Sequence, residues 1–171
     1  MRLSLTKKYI LSFLLFGVSC FLLISTITSQ LIMNQVIREK ASAFYQEGIY
    51  MSDQYVGNYF EQQDNQQKFS TVRSHLKALS IYLNARIWLI NTDGVIILDS
   101  SESTSRDMHE EIFGFDPVLP GGSYYTTGNF FGTLSEESLS VLIPVSHNYH
   151  VRGYIAIHVP LTVLTHEKES Y

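Results

Sequence analysis

No charged residue occurs between Tyr9 and Ile37, and the stretch Ile10–Ile27 is almost wholly apolar. About 20 residues of helix cross a hydrocarbon core, so this run is long enough to span a bilayer. Arg2, Lys7 and Lys8 stand directly before it, and positive charge tends to stay on the cytoplasmic side. All 16 acidic residues follow the uncharged run, against nine basic ones from Arg38 on, a net charge of −7. The organisation expected is a cytoplasmic N-terminus over 1–8, a transmembrane helix over 9–32, a folded extracytoplasmic part over 33–160 and an exit segment over 161–171 that leads towards a second span. Such a chain crosses the cell membrane once, with residues 33–171 outside the cytoplasm.

Two other N-terminal readings fit less well. A cleaved signal peptide has an apolar core of about 7–15 residues ending at small residues. Here the run is longer, and Ser25-Thr26-Ile27-Thr28-Ser29 makes a poor cleavage site. Acylation at Cys20 is disfavoured because Gly17 stands where an aliphatic residue belongs and Phe21–Ile24 continues the apolar run. Cys20 is the single cysteine, so no disulfide staples the exterior part. An apolar core must hold it, and 45% hydrophobic residues with ten Phe and 11 Tyr allow one.

Ile37, Ala41, Phe44, Gly48, Met51 and Tyr55 recur at four and three, which places them along one stripe of a helix over 34–60. That stripe serves either packing on the chain's own domain or a seam with a second copy. Both hold if the upper turns pack on the domain and the lower turns pair. Glu61–Gln67 reads as a loop. Phe69, Val72, Leu76, Leu79 and Leu83 then mark the apolar face of a second helix over 68–84.

The period changes at Ile87. Ile87–Ile90 and Val95–Leu98 are short apolar runs flanking Asn91-Thr92-Asp93-Gly94, a strong hairpin signal. Ser100–Met108 is polar and loops out, and Asp107–Phe113 suits one helical turn. Three further strands are expected at Tyr124–Leu134, Leu139–Ser146 and Val151–Pro160, the last two forming a hairpin through His147-Asn148-Tyr149-His150. The final segment from Leu161 suits a helix. Helices gathered ahead of five antiparallel strands make an α+β fold.

A membrane span, a long helix, a second helix and then Ala85-Arg86-Ile87-Trp88-Leu89-Ile90-Asn91-Thr92-Asp93-Gly94-Val95-Ile96-Ile97-Leu98-Asp99-Ser100 resemble the extracytoplasmic PAS-like (single Cache) sensor domains of bacterial sensor histidine kinases. Val141–Val145 and Arg152–Ile157 are similar to the last two strands of such domains. The resemblance implies the long helix and second helix packed on a five-stranded PAS-like sheet. It implies the input region of a two-component receptor, which detects an extracellular small molecule or protein and passes the signal on by helix displacement. A homodimer through the helix 34–60 is expected from the seam that its stripe offers. The same module could feed a chemoreceptor or a cyclic-dinucleotide synthase. A stand-alone membrane-anchored adhesion or scaffold protein is a further alternative.

Catalysis within these residues is not expected. There is no nucleophile elbow, metalloprotease helix or phosphate loop, and the neighbouring acids Glu110-Glu111 and Glu136-Glu137 would point oppositely on a strand. His109-Glu110 and His166-Glu167 lack the Pro of a phosphoacceptor motif. His147 and His150 fall short of the three or four converging ligands that a metal requires, so neither a metal nor a cofactor is expected. The acidic exterior disfavours nucleic acid.

In the resembled fold the ligand lies on the sheet face opposite the long helix, under the loops. With Ile155, Ile157 and Val159 turned to the helices, Tyr154 and His158 point to that side. Arg86 and Trp88 share a face of their strand, and Arg106, Tyr124 and Tyr125 lie near the covering loop. An Arg among aromatics suits a carboxylate ligand. The alternative is that the rings are core and Arg86 is a surface residue.

Overall fold

A computed structural model describes residues 5–56, 66–101, 110–119 and 122–168, the side chains at 5, 6, 55, 66–69 and 166–168 excepted. The chain divides into two compact units, Met1–Arg38 and Glu39–Tyr171.

Helix α1 runs over Leu5–Met51 and ends in a π-helical turn, Ser52–Val56. In the first unit its large apolar side chains are exposed, Phe13 and Phe21 at 81% and 71%. By length and composition this helix is able to cross a membrane. Residues 57–60 of the expected long helix lie outside the described residues.

The second unit is an antiparallel sheet with helices. Helix α2 (Gln66–Leu83) precedes β1 (Arg86–Asn91), β2 (Val95–Asp99), β3 (Glu110–Glu111), β4 (Tyr125–Gly128), β5 (Ser138–His147) and β6 (His150–Pro160). Helix α3 (Leu161–Lys168) follows. The strands lie in the order β3-β2-β1-β6-β5-β4.

Cross-strand partners share a face. Ile87 and Leu89 pair with Ile157 and Ile155, which pair in turn with Val141 and Ile143. Together with Leu139, Val145 and Val159 they form a fully apolar surface, each no more than 2% exposed. Helix α1 covers it. Ala41, Phe44 and Met51 are buried, and a methyl group at Gly48 would lie 2.7 Å from both Cδ1 and Cγ1 of Ile143. The Ser52 hydroxyl donates to the Pro144 carbonyl at 3.5 Å. The four-three stripe therefore serves its own sheet from Ala41 to Met51, and a second chain has no access to it. Val72 and Leu76 of α2 and Leu164 of α3 are buried as well.

The other face is also buried. Trp88, Ile90, Ile96, Leu142 and Ala156 pack there with Ile112, Leu119, Phe130 and Leu134 from the connecting segments. The β1–β2 turn is locked locally: Asn91 Oδ1 accepts from the amides of Asp93 (2.9 Å) and Val95 (2.8 Å). Gly94 holds φ +82°, and a Cβ there would meet Phe115 Cβ at 2.7 Å, so position 94 needs glycine twice over.

Several boundaries differ from expectation. Helix α2 begins at Gln66, two residues inside the expected polar loop, whose residues 61–65 lie outside the described residues. Of the helical turn expected over Asp107–Phe113, residues 107–109 lie outside the described residues, and Glu110–Glu111 pair with Ile96 and Val95 as a sixth strand. The open edge of β2 offers hydrogen bonds that a lone turn would forgo. The expected strand Tyr124–Leu134 stops at Gly128, because Phe130, Phe131 and Gly132 turn with φ of 37°, 55° and 76°.

Candidate functional site

The loop-covered face carries the polar chemistry. Arg86 pairs with His158, and His158 with Ser140, so the three side chains share this face. Asp99 joins them through its pairing with Trp88. His158 is 2% exposed, and its Nδ1 lies 2.8 Å from Ser140 Oγ. Burial, and then the Arg86 charge, push the imidazole pKa down to about 3, so the ring is neutral. Where Ser140 donates to Nδ1, Nε2 carries the ring proton.

That Nε2 has no hydrogen-bond partner among the described residues, and neither does Nε1 of Trp88, which is also 2% exposed. The two rings stand 4.4 Å apart, edge to face. Each unpartnered buried donor costs about 1–3 kcal/mol. Two side by side on one sheet face call for an explanation.

Arg86 donates to Asp99 Oδ2 from Nε at 2.9 Å and from Nη2 at 2.5 Å, and its guanidinium lies 5.0 Å from the Trp88 ring centre. Burial alone would raise the Asp99 carboxyl. Hydrogen bonds from Arg86 and Ser101 outweigh it and hold the pKa below the usual value. The Arg86 side chain is 43% exposed, that of Asp99 only 1%. Arg86 is thus already committed, and a ligand carboxylate would have to compete with Asp99 for it.

The expected site residues therefore separate. Arg86, Trp88 and His158 come together. Tyr154 adjoins them, half-buried, with its ring 5.6 Å from Phe115; burial and the Asp116 charge raise its phenol above the ordinary value. Tyr124 and Tyr125 sit elsewhere. The Tyr124 ring lies 4.6 Å from Tyr45 on α1, and the pairing of Tyr125 with Val141 turns Tyr125 to the helix face. Arg106 lies outside the described residues. Sequence reasoning missed Asp99, Ser140 and Phe130. Asp99 had a signal: it and Arg86 are equidistant from the centre of Asn91–Gly94, so a hairpin brings them near each other, although the register shift sets Asp99 opposite Trp88 and leaves Arg86 its diagonal neighbour.

No family model matches the chain, and no curated protein does. Solved structures do. The sensor domain of the Vibrio cholerae histidine kinase DctB superposes with a TM-score of 0.56 at 15% identity, covering 80% of this chain and 59% of that one. The ligand-binding domain of the Campylobacter jejuni chemoreceptor Tlp3, in complex with 4-methylisoleucine, gives 0.59 at 13% identity, covering 79% and 57%. The extracellular domain of the putative histidine kinase vpHK1S-Z8 gives 0.57 at 13%, covering 80% and 56%. The chain thus spans less than two thirds of each. The fold is that of these PAS-like sensor domains.

Proposed function

We propose that this chain is the signal-input region of a membrane-bound sensor histidine kinase, with residues 9–32 crossing the bilayer and 33–171 outside the cytoplasm. Tlp3 shares the fold as fully as DctB does, so a chemoreceptor is an equally supported second reading. The observation that carries the sensing role is the pair of buried, unpartnered nitrogens on Trp88 and His158 beneath the connecting loops. A small molecule seated there, with Arg86 and Tyr154 at its margin, would fill a need that the protein leaves open.

Signalling requires only that the ligand favour one of two arrangements of sheet and helix. Gly48 and Ser52 seat α1 on β5, so a shift of the sheet moves the helix that continues towards the membrane. A homodimer through the helix 34–60 would use its lower turns and the outward Ile49 and Tyr50, since the inner stripe is occupied.

The test uses the intact chain in detergent micelles, screened against amino acids and small carboxylates. Trp88 is the single tryptophan, so its emission reports on the site directly. A ligand at 100 times its Kd stabilises by about 2.7 kcal/mol, and melting temperature and Trp88 emission should shift together. Stabilisation without any change at Trp88 would move the site elsewhere. Protease added to intact cells should digest Glu39–Tyr171; sparing it would refute the orientation.

A further inference from the structure

The turn Asn129–Thr133 closes through hydrogen bonds from the Thr133 amide to the Phe130 carbonyl (3.1 Å) and from the Leu134 amide to the Asn129 carbonyl (3.0 Å). Within it Phe130 and Phe131 hold φ of 37° and 55°. Bulky side chains rarely adopt positive φ, and such strain persists where the surroundings impose it. The turn presses Phe130 to 3% exposure, its ring 4.7 Å from His158 and 6.2 Å from Trp88. Phe131 stays 36% exposed over Phe115, at 5.7 Å. A hydrocarbon ring thus stands against the two side chains whose buried nitrogens lack hydrogen-bond partners. Core packing alone gives no reason for a strained aromatic and two unpartnered nitrogens to meet at one place.

We infer that Phe130 is a built-in plug that fills the ligand position of the empty receptor. The Asn129–Thr133 turn releases it when a ligand arrives with a hydrocarbon body of about benzyl size and a carbonyl-type acceptor. This rests on the reading of the loop-covered face as the ligand side. The incoming acceptor satisfies Trp88 Nε1 and His158 Nε2, which Phe130 cannot do, and release relaxes the turn. These two gains offset the lost ring packing. The plug also sets sensitivity, because apparent affinity is the intrinsic affinity multiplied by the fraction of molecules in which the turn is open.

The test titrates intact chain in micelles with benzamide and with toluene, followed by Trp88 emission. Phe130→Ala should bind benzamide at least tenfold more tightly than the wild type. Adding His158→Phe should then weaken benzamide roughly tenfold, the worth of one hydrogen bond to a buried donor, and leave toluene unchanged. Parallel changes for both probes, or binding of toluene alone, would reduce Phe130 to ordinary core and overturn the inference. If Phe130→Ala does not fold, hydrogen exchange on the wild type decides. The Thr133 and Leu134 amides should exchange at least a hundredfold faster than those of β5 and β6, and Phe131→Gly should slow them roughly tenfold by relieving strain. Equal protection of the turn and the sheet, or no effect of Phe131→Gly, also overturns it. Ligands that stabilise the wild type while benzamide ignores His158 would sink the plug and leave the receptor standing. The reverse result would do the opposite.

Discussion

Gly48→Ala should destabilise the wild type yet stabilise a chain carrying Ile143→Ala. A methyl group at position 48 lies 2.7 Å from Cδ1 and Cγ1 of Ile143 and 3.5 Å from its Cβ. Ile143 is fully buried in β5, so it cannot swing clear. Overpacking of this kind costs about 1–3 kcal/mol. Replacing Gly by Ala inside a helix returns about 1 kcal/mol of propensity. The net is a loss of roughly 0–2 kcal/mol in the wild-type background, following from those two magnitudes. Ile143→Ala costs about 2–5 kcal/mol alone, but it removes both clashing carbons and leaves Cβ at an ordinary 3.5 Å. Gly48→Ala then keeps its propensity gain and stabilises by up to about 1 kcal/mol. The four chains form a double-mutant cycle, read by urea unfolding in micelles through Trp88 emission, with roughly 2–4 °C of Tm expected per kcal/mol. The same sign in both backgrounds would show that Gly48 does not seat the helix on β5. A seam with another chain would then become the better account of the stripe.

Two further outcomes follow from the site. The folded pKa of His158 near 3 lies below the unfolded value of about 6.5, so only the unfolded chain takes up this proton as pH falls through that window. Its contribution is fully present above pH 6.5 and is lost towards pH 3. His158→Phe should flatten the rise of Tm with pH between about 4 and 6.5, above the range where Asp99 titrates, and an unchanged slope would contradict the buried neutral imidazole. Arg86→Ala strands the Asp99 carboxylate and should cost about 1–3 kcal/mol. Asp99→Asn in the same chain should recover part of that Tm, and an additive loss would mean that the pair is not coupled.

The strand positions were legible because both apolar alternation and the Asn91–Gly94 turn act locally. The α+β architecture and its helix-covered face followed from them. The four-three stripe could not say what covers it, since helix-on-sheet and helix-on-helix packing demand the same spacing. Phe130-Phe131 misread as strand for a related reason: β propensity records a preference for burial, and these rings bury through a turn. Glu110–Glu111 carry no strand signal, since an edge rung is decided by the neighbour's open hydrogen bonds. Arg86 looked available because its counterion arrives only when β2 folds back on β1.

Strand β6 lies in the interior of the sheet, bonded to β1 on one side and β5 on the other, and it runs directly into α3. His158 looks towards the loop-covered face, where the proposed ligand would sit, while Ile157 and Val159, its covalent neighbours, look towards the helices. In the proposed receptor, input and output would therefore be separated by the thickness of a single peptide layer, with no relay of intermediate side chains to assemble between them. Under that proposal a tug on one residue would be felt by the next, and the central strand itself would be the transmission line.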